Sequence, residues 1–296
     1  MGFDWMPNRL IYVHGDVVMY GSPPDDQKRV TGSTYEVGPG DIFGDVTFSK
    51  ELPFYFRMGK YRLPTMKGRF VTSFVSDSWT LINGEVDQEA VELGFNHPWI
   101  QLGGGIFDSN STIIKDKSAN SQATNYFGVL TFRTPQQNKF QFMTNLGYIS
   151  HVGDSVRGTS LNPNSYYDNK IPAGTAELYL SKSGFYFYSG AFARLTEDRN
   201  YHDKFTLRSE LAYNFDELKK VPFQMGGSFD FKDASFYSKN ENTMRVGLLL
   251  GGEIAPKMFL NFEALYGLSE REDYGATIQL LVNPPRLKQH ENRPVY

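Results

Sequence analysis

The chain contains no cysteine. Disulfides, thiolate metal sites and thiol nucleophiles are therefore excluded. Long apolar runs are also missing. The longest, Val246–Leu250, falls far short of the roughly 18 consecutive apolar residues of a membrane helix, which excludes a helical membrane protein. Neither sign of charge dominates. Lys and Arg number 30 against 33 Asp and Glu, a formal net charge of −3, without the basic excess of a general nucleic-acid binder. Met1–Asn8 lacks the basic start and apolar core of a signal peptide, so the expectation is a mature chain or one whose N-terminus has been removed.

Aromatic residues are abundant instead. The 24 Phe and 18 Tyr lift the aromatic share of the 296 residues to 15%, above average usage. They fall in segments about ten residues long whose polarity alternates with a period of two, the mark of strands. About 14 such segments are read, from Leu10–Tyr20 and Asp41–Ser49 through to Met258–Leu268 and Tyr274–Val282.

The connections alternate in length. Gly21–Gly40, Arg62–Asp87, Asp108–Ala123 and His151–Pro172 are long. Lys50–Leu52, Asn96–Pro98, Thr134–Asn138 and Ser181–Gly184 are short, and Ser269–Asp273 breaks the pattern by being short where a long one is due. A soluble sandwich gives no reason for this alternation, whereas an outer-membrane barrel has short periplasmic turns and long outer loops. Charge follows one face. Leu207, Leu211, Leu260, Phe262 and Ile278 lie opposite Arg208, Glu210, Glu263 and Gln279. Backbone groups in lipid must all be paired, so such a sheet has to close. The expectation is an all-β transmembrane antiparallel barrel over residues 1–283 in an outer membrane, followed by a polar tail over 284–296. An even strand number would put both termini on the short-turn side.

The polar faces carry the functional candidates. They are Arg57, Arg133, Arg194, Arg208 and Arg245, with Glu92, Glu177, Glu210, Asp230 and Glu263. Arginine rings favour anions in pores. Arg194, Arg208 and Arg245 are expected near the outer mouth, with Glu210 and Asp230 close enough to offset part of their charge. The plain alternative is an ion-pair network that stiffens the wall. In the long connection Arg62–Asp87, Phe70, Phe74 and Trp79 are too apolar for a freely solvated loop, so this segment is a candidate lumen constriction, or else packs over the mouth. His14 and Asp16 share a strand face and could form either a lumen hydrogen bond or part of a barrel hydrolase. No cofactor or metal site is read, and no enzyme is expected.

Met58–Pro64 (MGKYRLP), Ser76–Ser78 (SDS), Gly84–Glu85 and Glu89–Phe95 (EAVELGF) follow in order along the chain. This pattern, with Gly147–Ser150 and Leu211–Tyr213, resembles the LbtU family of outer-membrane siderophore porins. The resemblance runs from about Leu10 to Val282. Two departures stand out: the polar tail in place of a closing aromatic residue, and the lack of a lead-in segment. The resemblance implies a porin-like channel that takes up a small solute, a ferric siderophore and an anionic one. The implied partners are outer-membrane lipid and that solute or chelate, with no nucleic acid. A second copy or a larger envelope assembly, for which the barrel would be an anchor, is the alternative.

Overall fold

The computed structural model describes residues 2–8, 10–21, 35–48, 53–66, 80, 84, 86–107, 125–135, 138–152, 171–196, 203–215, 223–234, 241–255, 258–268 and 274–282. Fifteen strands are formed among them. In chain order these are β1 (Gly2–Asn8), β2 (Ile11–Gly21), β3 (Tyr35–Thr47), β4 (Phe54–Arg62) and β5 (Asp87–Asn96). Next come β6 (Ile100–Phe107), β7 (Asn125–Arg133), β8 (Phe140–Ile149), β9 (Ala173–Lys182) and β10 (Phe185–Arg194). The last five are β11 (Asp203–Asn214), β12 (Phe223–Ala234), β13 (Glu241–Ala255), β14 (Met258–Gly267) and β15 (Tyr274–Val282). Each pairs antiparallel with its chain neighbour, giving one sheet in the order β1 to β15; β1 and β15 are its edges, and no ladder joins them among the described residues, so the closure expected from lipid burial is not made there.

One strand lies outside the sequence reading. Phe3 and Trp5 alternate with Asp4 in β1, but Pro7 lowers its strand character. The sheet edge tolerates that proline because an edge strand leaves one row of its backbone groups out of the ladder. Asn8 then makes the turn, its side-chain oxygen accepting from the amides of Leu10 (2.8 Å) and Ile11 (3.0 Å). With β1 added the described strands number fifteen, so the even-count argument fails. Gly2 stands on the side of the long connections and Val282 on the side of the short turns. Strand β3 also starts at Tyr35, earlier than the expected Asp41, and shortens the first long connection. The tail 284–296 lies outside the described residues.

The short turns follow local chemistry. Ser183 and Gly184 hold φ of 51° and 82° between β9 and β10, the paired left-handed residues that match the twist of a two-residue hairpin.

The two faces separate as the alternation requires. Leu211, Leu260, Phe262 and Ile278 are exposed, Ile278 by 71%. Leu207 is half-buried on the same face. Arg208, Glu210 and Glu263 are each 1% exposed on the other face. Next to the short turns, exposed Phe48, Phe54, Trp99, Phe140, Phe185 and Phe223 form an aromatic belt. Amphipathic rings of this kind settle at the membrane–water interface. Toward the long connections, Tyr126 and Tyr148 meet at 5.9 Å between ring centroids.

Candidate functional site: the inward-facing rows

Strand register brings the inward side chains into rows. One row runs Gln101, Thr131, Asn145, Glu177, Gly190, Arg208, Asp230, Arg245, each residue the cross-strand partner of the next from β6 to β13. Hydrogen bonds follow it. Thr131 Oγ1 donates to Asn145 Oδ1 at 2.7 Å, and Asn145 Nδ2 to Glu177 Oε2 at 2.9 Å. Tyr188 Oη supplies Glu177 Oε1 at 3.0 Å. Gly190 leaves a gap in the row, and the Tyr188 hydroxyl leans into it. Beyond the gap, Arg208 Nη1 donates to Asp230 Oδ2 at 2.8 Å and Arg245 Nε to the same oxygen at 3.1 Å. Arg208 Nε also bonds Glu210.

Three of the expected arginines therefore divide. Arg208 and Arg245 share Asp230, and Arg208 and Glu210 are fully buried against each other. Two cations face two anions here, which gives the offset expected from the carboxylates. Arg194, 8% exposed, lies four residues further along β10 than Gly190, the partner of Arg208. Arg208 is thus deeper than the outer mouth, and the three arginines do not form one bare basic patch.

A second row runs Asp45, Arg57, Glu92, Gly105, Phe127, Ile149, Ala173, Arg194 from β3 to β10. Arg57 grips Asp45 through two bonds, Nε to Oδ1 at 2.6 Å and Nη2 to Oδ2 at 2.8 Å. Its Nη1 is 3.9 Å from Glu92 Oε2. Its guanidinium also sits over Phe43 (5.0 Å), Tyr61 (5.1 Å) and Tyr55 (5.9 Å), the cation–π geometry that suits a weakly hydrated planar cation. Tyr55 donates to Glu92 and lies against Gly94 and Gly103. The glycines of this wall make room for that ring: a Cβ on Gly103 would come within 2.9 Å of the Tyr55 hydroxyl.

Between Gly105 and Ala173 the second row turns apolar. Tyr61, Phe107, Phe127, Ile149 and Phe192 pack with Leu63 and Val86 from the β4–β5 connection and with Val152 and Ile171 from the β8–β9 connection. The start of the candidate constriction is thus drawn inside the wall. The amides of Leu63 and Val152 close the two connections onto the carbonyls of Val86 (2.8 Å) and Ile171 (2.9 Å). Phe70, Phe74 and Trp79 lie outside the described residues.

The remaining candidates fall elsewhere. Arg133 lies at the short-turn end of β7 and staples the β5–β6 turn, donating to the His97 carbonyl at 3.1 Å and to Asn96. Glu263 is buried on β14, opposite Leu249. His14 Nδ1 contacts Asp4 Oδ1 at 2.7 Å, so the carboxylate described beside it comes from β1. Among the described residues, no group of three or more His, Asp or Glu side chains is placed to hold a metal ion. Sequence reading missed Asn145, Thr131 and Tyr188. Their inward parity was visible, but their place in the row depends on register.

No protein-family model matches the chain, and no curated relative matches it. Solved structures do. OprB of Pseudomonas putida, in its high-pH structure, superposes with a TM-score of 0.60 at 10% identity, over 91% of this chain and 81% of that one. The outer membrane protein OpdK of Pseudomonas aeruginosa gives 0.52 at 9% identity, over 92% and 76%. A loop L8 deletion mutant of OmpT, an outer membrane protein of Vibrio cholerae, gives 0.50 at 12% identity, over 94% and 87%. At these identities the likeness speaks for the fold. The belted apolar exterior, the ion-paired interior and these superpositions agree on one architecture: the protein is an outer-membrane β-barrel.

Proposed function

We propose that this barrel is a porin-type channel through which small solutes cross the outer membrane. The observation that supports this reading is the inward row from Gln101 to Arg245, which, apart from Gly190, fills the interior of the wall with hydrogen-bonding and charged groups rather than an apolar core. A barrel serving only as an anchor has no need of such a row. The finer reading, uptake of an anionic ferric siderophore, rests on the resemblance of Met58–Phe95 to the LbtU family. The Arg194, Arg208 and Arg245 side chains on the inward face support it. The apolar cluster around Phe127 and Leu63 favours the second reading, a plugged barrel that anchors a partner or a second copy.

Purified protein in planar bilayers separates the two. A channel gives discrete conductance steps and admits neutral solutes in a liposome swelling assay, whereas a plugged anchor is silent in both. Uptake of a radiolabelled anionic ferric chelate into proteoliposomes tests the finer reading. Equal uptake of an uncharged solute of the same size would leave the channel and remove the siderophore preference.

A further inference from the structure

The wall of β8 and β9 carries a shaped contact for the segment that follows β4. Asn145 Nδ2 donates to the carbonyl of Thr65 at 3.1 Å and to that of Pro64 at 3.3 Å. The Thr175 hydroxyl donates to the same Thr65 carbonyl. Between these donors lies Gly147, the cross-strand partner of Thr175. A Cβ at Gly147 would stand 2.8 Å from the Thr65 Cα. That neighbour is backbone, so it cannot swing aside as the end of a flexible side chain could. Two donors and a glycine gap thus receive the carbonyls of two successive residues lying some 80 residues earlier in the chain. Thr65 and Leu63 are both fully buried there. Asn145 is in turn held by Thr131 and Glu177, and Glu177 by Tyr188, which fixes the amide so that its Nδ2 faces the two carbonyls.

We infer that Asn145, Gly147 and Thr175 are the positioning residues of the channel's constriction: they seat Pro64–Thr65 against the far wall, and that seat sets the free cross-section of the lumen. The inference deepens the channel reading and rests on it. Backbone carbonyls inside a barrel need partners, since unpaired polar groups away from water are costly. Asn145 and Thr175 supply those partners on the inner wall.

The absence of native cysteine makes a direct test possible. A Thr65→Cys, Thr175→Cys pair, treated with a short bis(methanethiosulfonate), which forms a disulfide to each thiol and releases a sulfinate from each end, should cross-link in the folded barrel, and neither single variant should. Conductance in planar bilayers should then be low in the linked state and rise when the link is reduced. Gly147→Ala should unseat the peptide, abolish the cross-link in the triple variant and raise conductance. Thr175→Val should raise conductance, and Thr175→Ser, which keeps the donor, should restore the parent level. Heat-modifiable mobility on gels reports that each variant is folded. A cross-link that does not form, or linked and reduced forms that conduct equally, overturns the seat while leaving a conducting channel. A parent protein silent under all conditions overturns the channel reading and the seat with it.

Discussion

Removing the guanidinium of Arg208 should cost more than any other single charge deletion in the wall. Arg208 is 1% exposed, and its Nη1 and Nε engage Asp230 at 2.8 Å and Glu210. In Arg208→Met the volume is nearly kept and both carboxylates lose a cation. Asp230 retains Arg245 at 3.1 Å, so the larger loss falls on Glu210. Two unit charges about 4 Å apart at an effective dielectric near 20 interact by about 4 kcal/mol, and deleting one partner of a buried pair costs about 3–5 kcal/mol. Water in the lumen and the remaining Arg245 place the expectation at about 3 kcal/mol, toward the low end of that range. Guanidinium unfolding in detergent micelles, followed by Trp fluorescence, reads this as a fall in midpoint at unchanged slope. The charge-balanced double variant Arg208→Met, Glu210→Gln should recover much of the loss. A single variant within about 1 kcal/mol of the parent, the range of an exposed ion pair, would refute the reasoning and show the network to be freely hydrated.

Other outcomes follow from the same geometry. Tyr188→Phe removes one donor from Glu177 and should destabilise by about 1–2 kcal/mol, with Tyr188→Leu worse because the ring is lost too; an unchanged unfolding midpoint for the phenylalanine variant counts against the row. Ile278→Arg places a charge on the most exposed face and should cost about 2–4 kcal/mol in bilayers, whereas Thr131→Arg should impair conduction first; swapped phenotypes would mean the two faces are reversed. Replacing Arg194, Arg208 and Arg245 together with Gln should shift ion preference toward cations, and the shift should shrink in concentrated salt as charges become screened within about 10 Å at 0.1 M. An unmoved reversal potential in a folded triple variant would remove these arginines from any role in selectivity.

The sequence shows the outward face readily because lipid punishes error there. Leu211 and Ile278 can sit only on the apolar side, so the parity of β11 and β15 follows from the residues alone. Arg208 and Glu210 were legible as inward, and their mutual neutralisation was legible from proximity along one strand. Asn145 was not. Its partners Thr65, Thr131 and Glu177 stand on three other segments, and no local pattern encodes which residue of one strand meets which residue of the next. Strand β1 was hidden because Pro7 lowers local strand character, and an edge tolerates what an interior strand would reject. The Asp16 side chain lies outside the described ones, and the carboxylate described beside His14 is Asp4, across the β1–β2 ladder, which no single-strand reading can find.

Gly190 interrupts the polar row at one point, and the interruption divides the interior into two arcs. On one side lies the seat of Asn145, Gly147 and Thr175; on the other, the alternating charges of Arg208, Asp230 and Arg245. Tyr188 leans into the gap and joins them: it donates to Glu177 on one side and stands opposite Glu210, the partner of Arg208, on the other. Residues joined through one such network couple by about 0.5–3 kcal/mol. A perturbation in one arc is therefore expected to reach the other through Tyr188, and a double-mutant cycle between Asn145 and Arg208 measures that coupling.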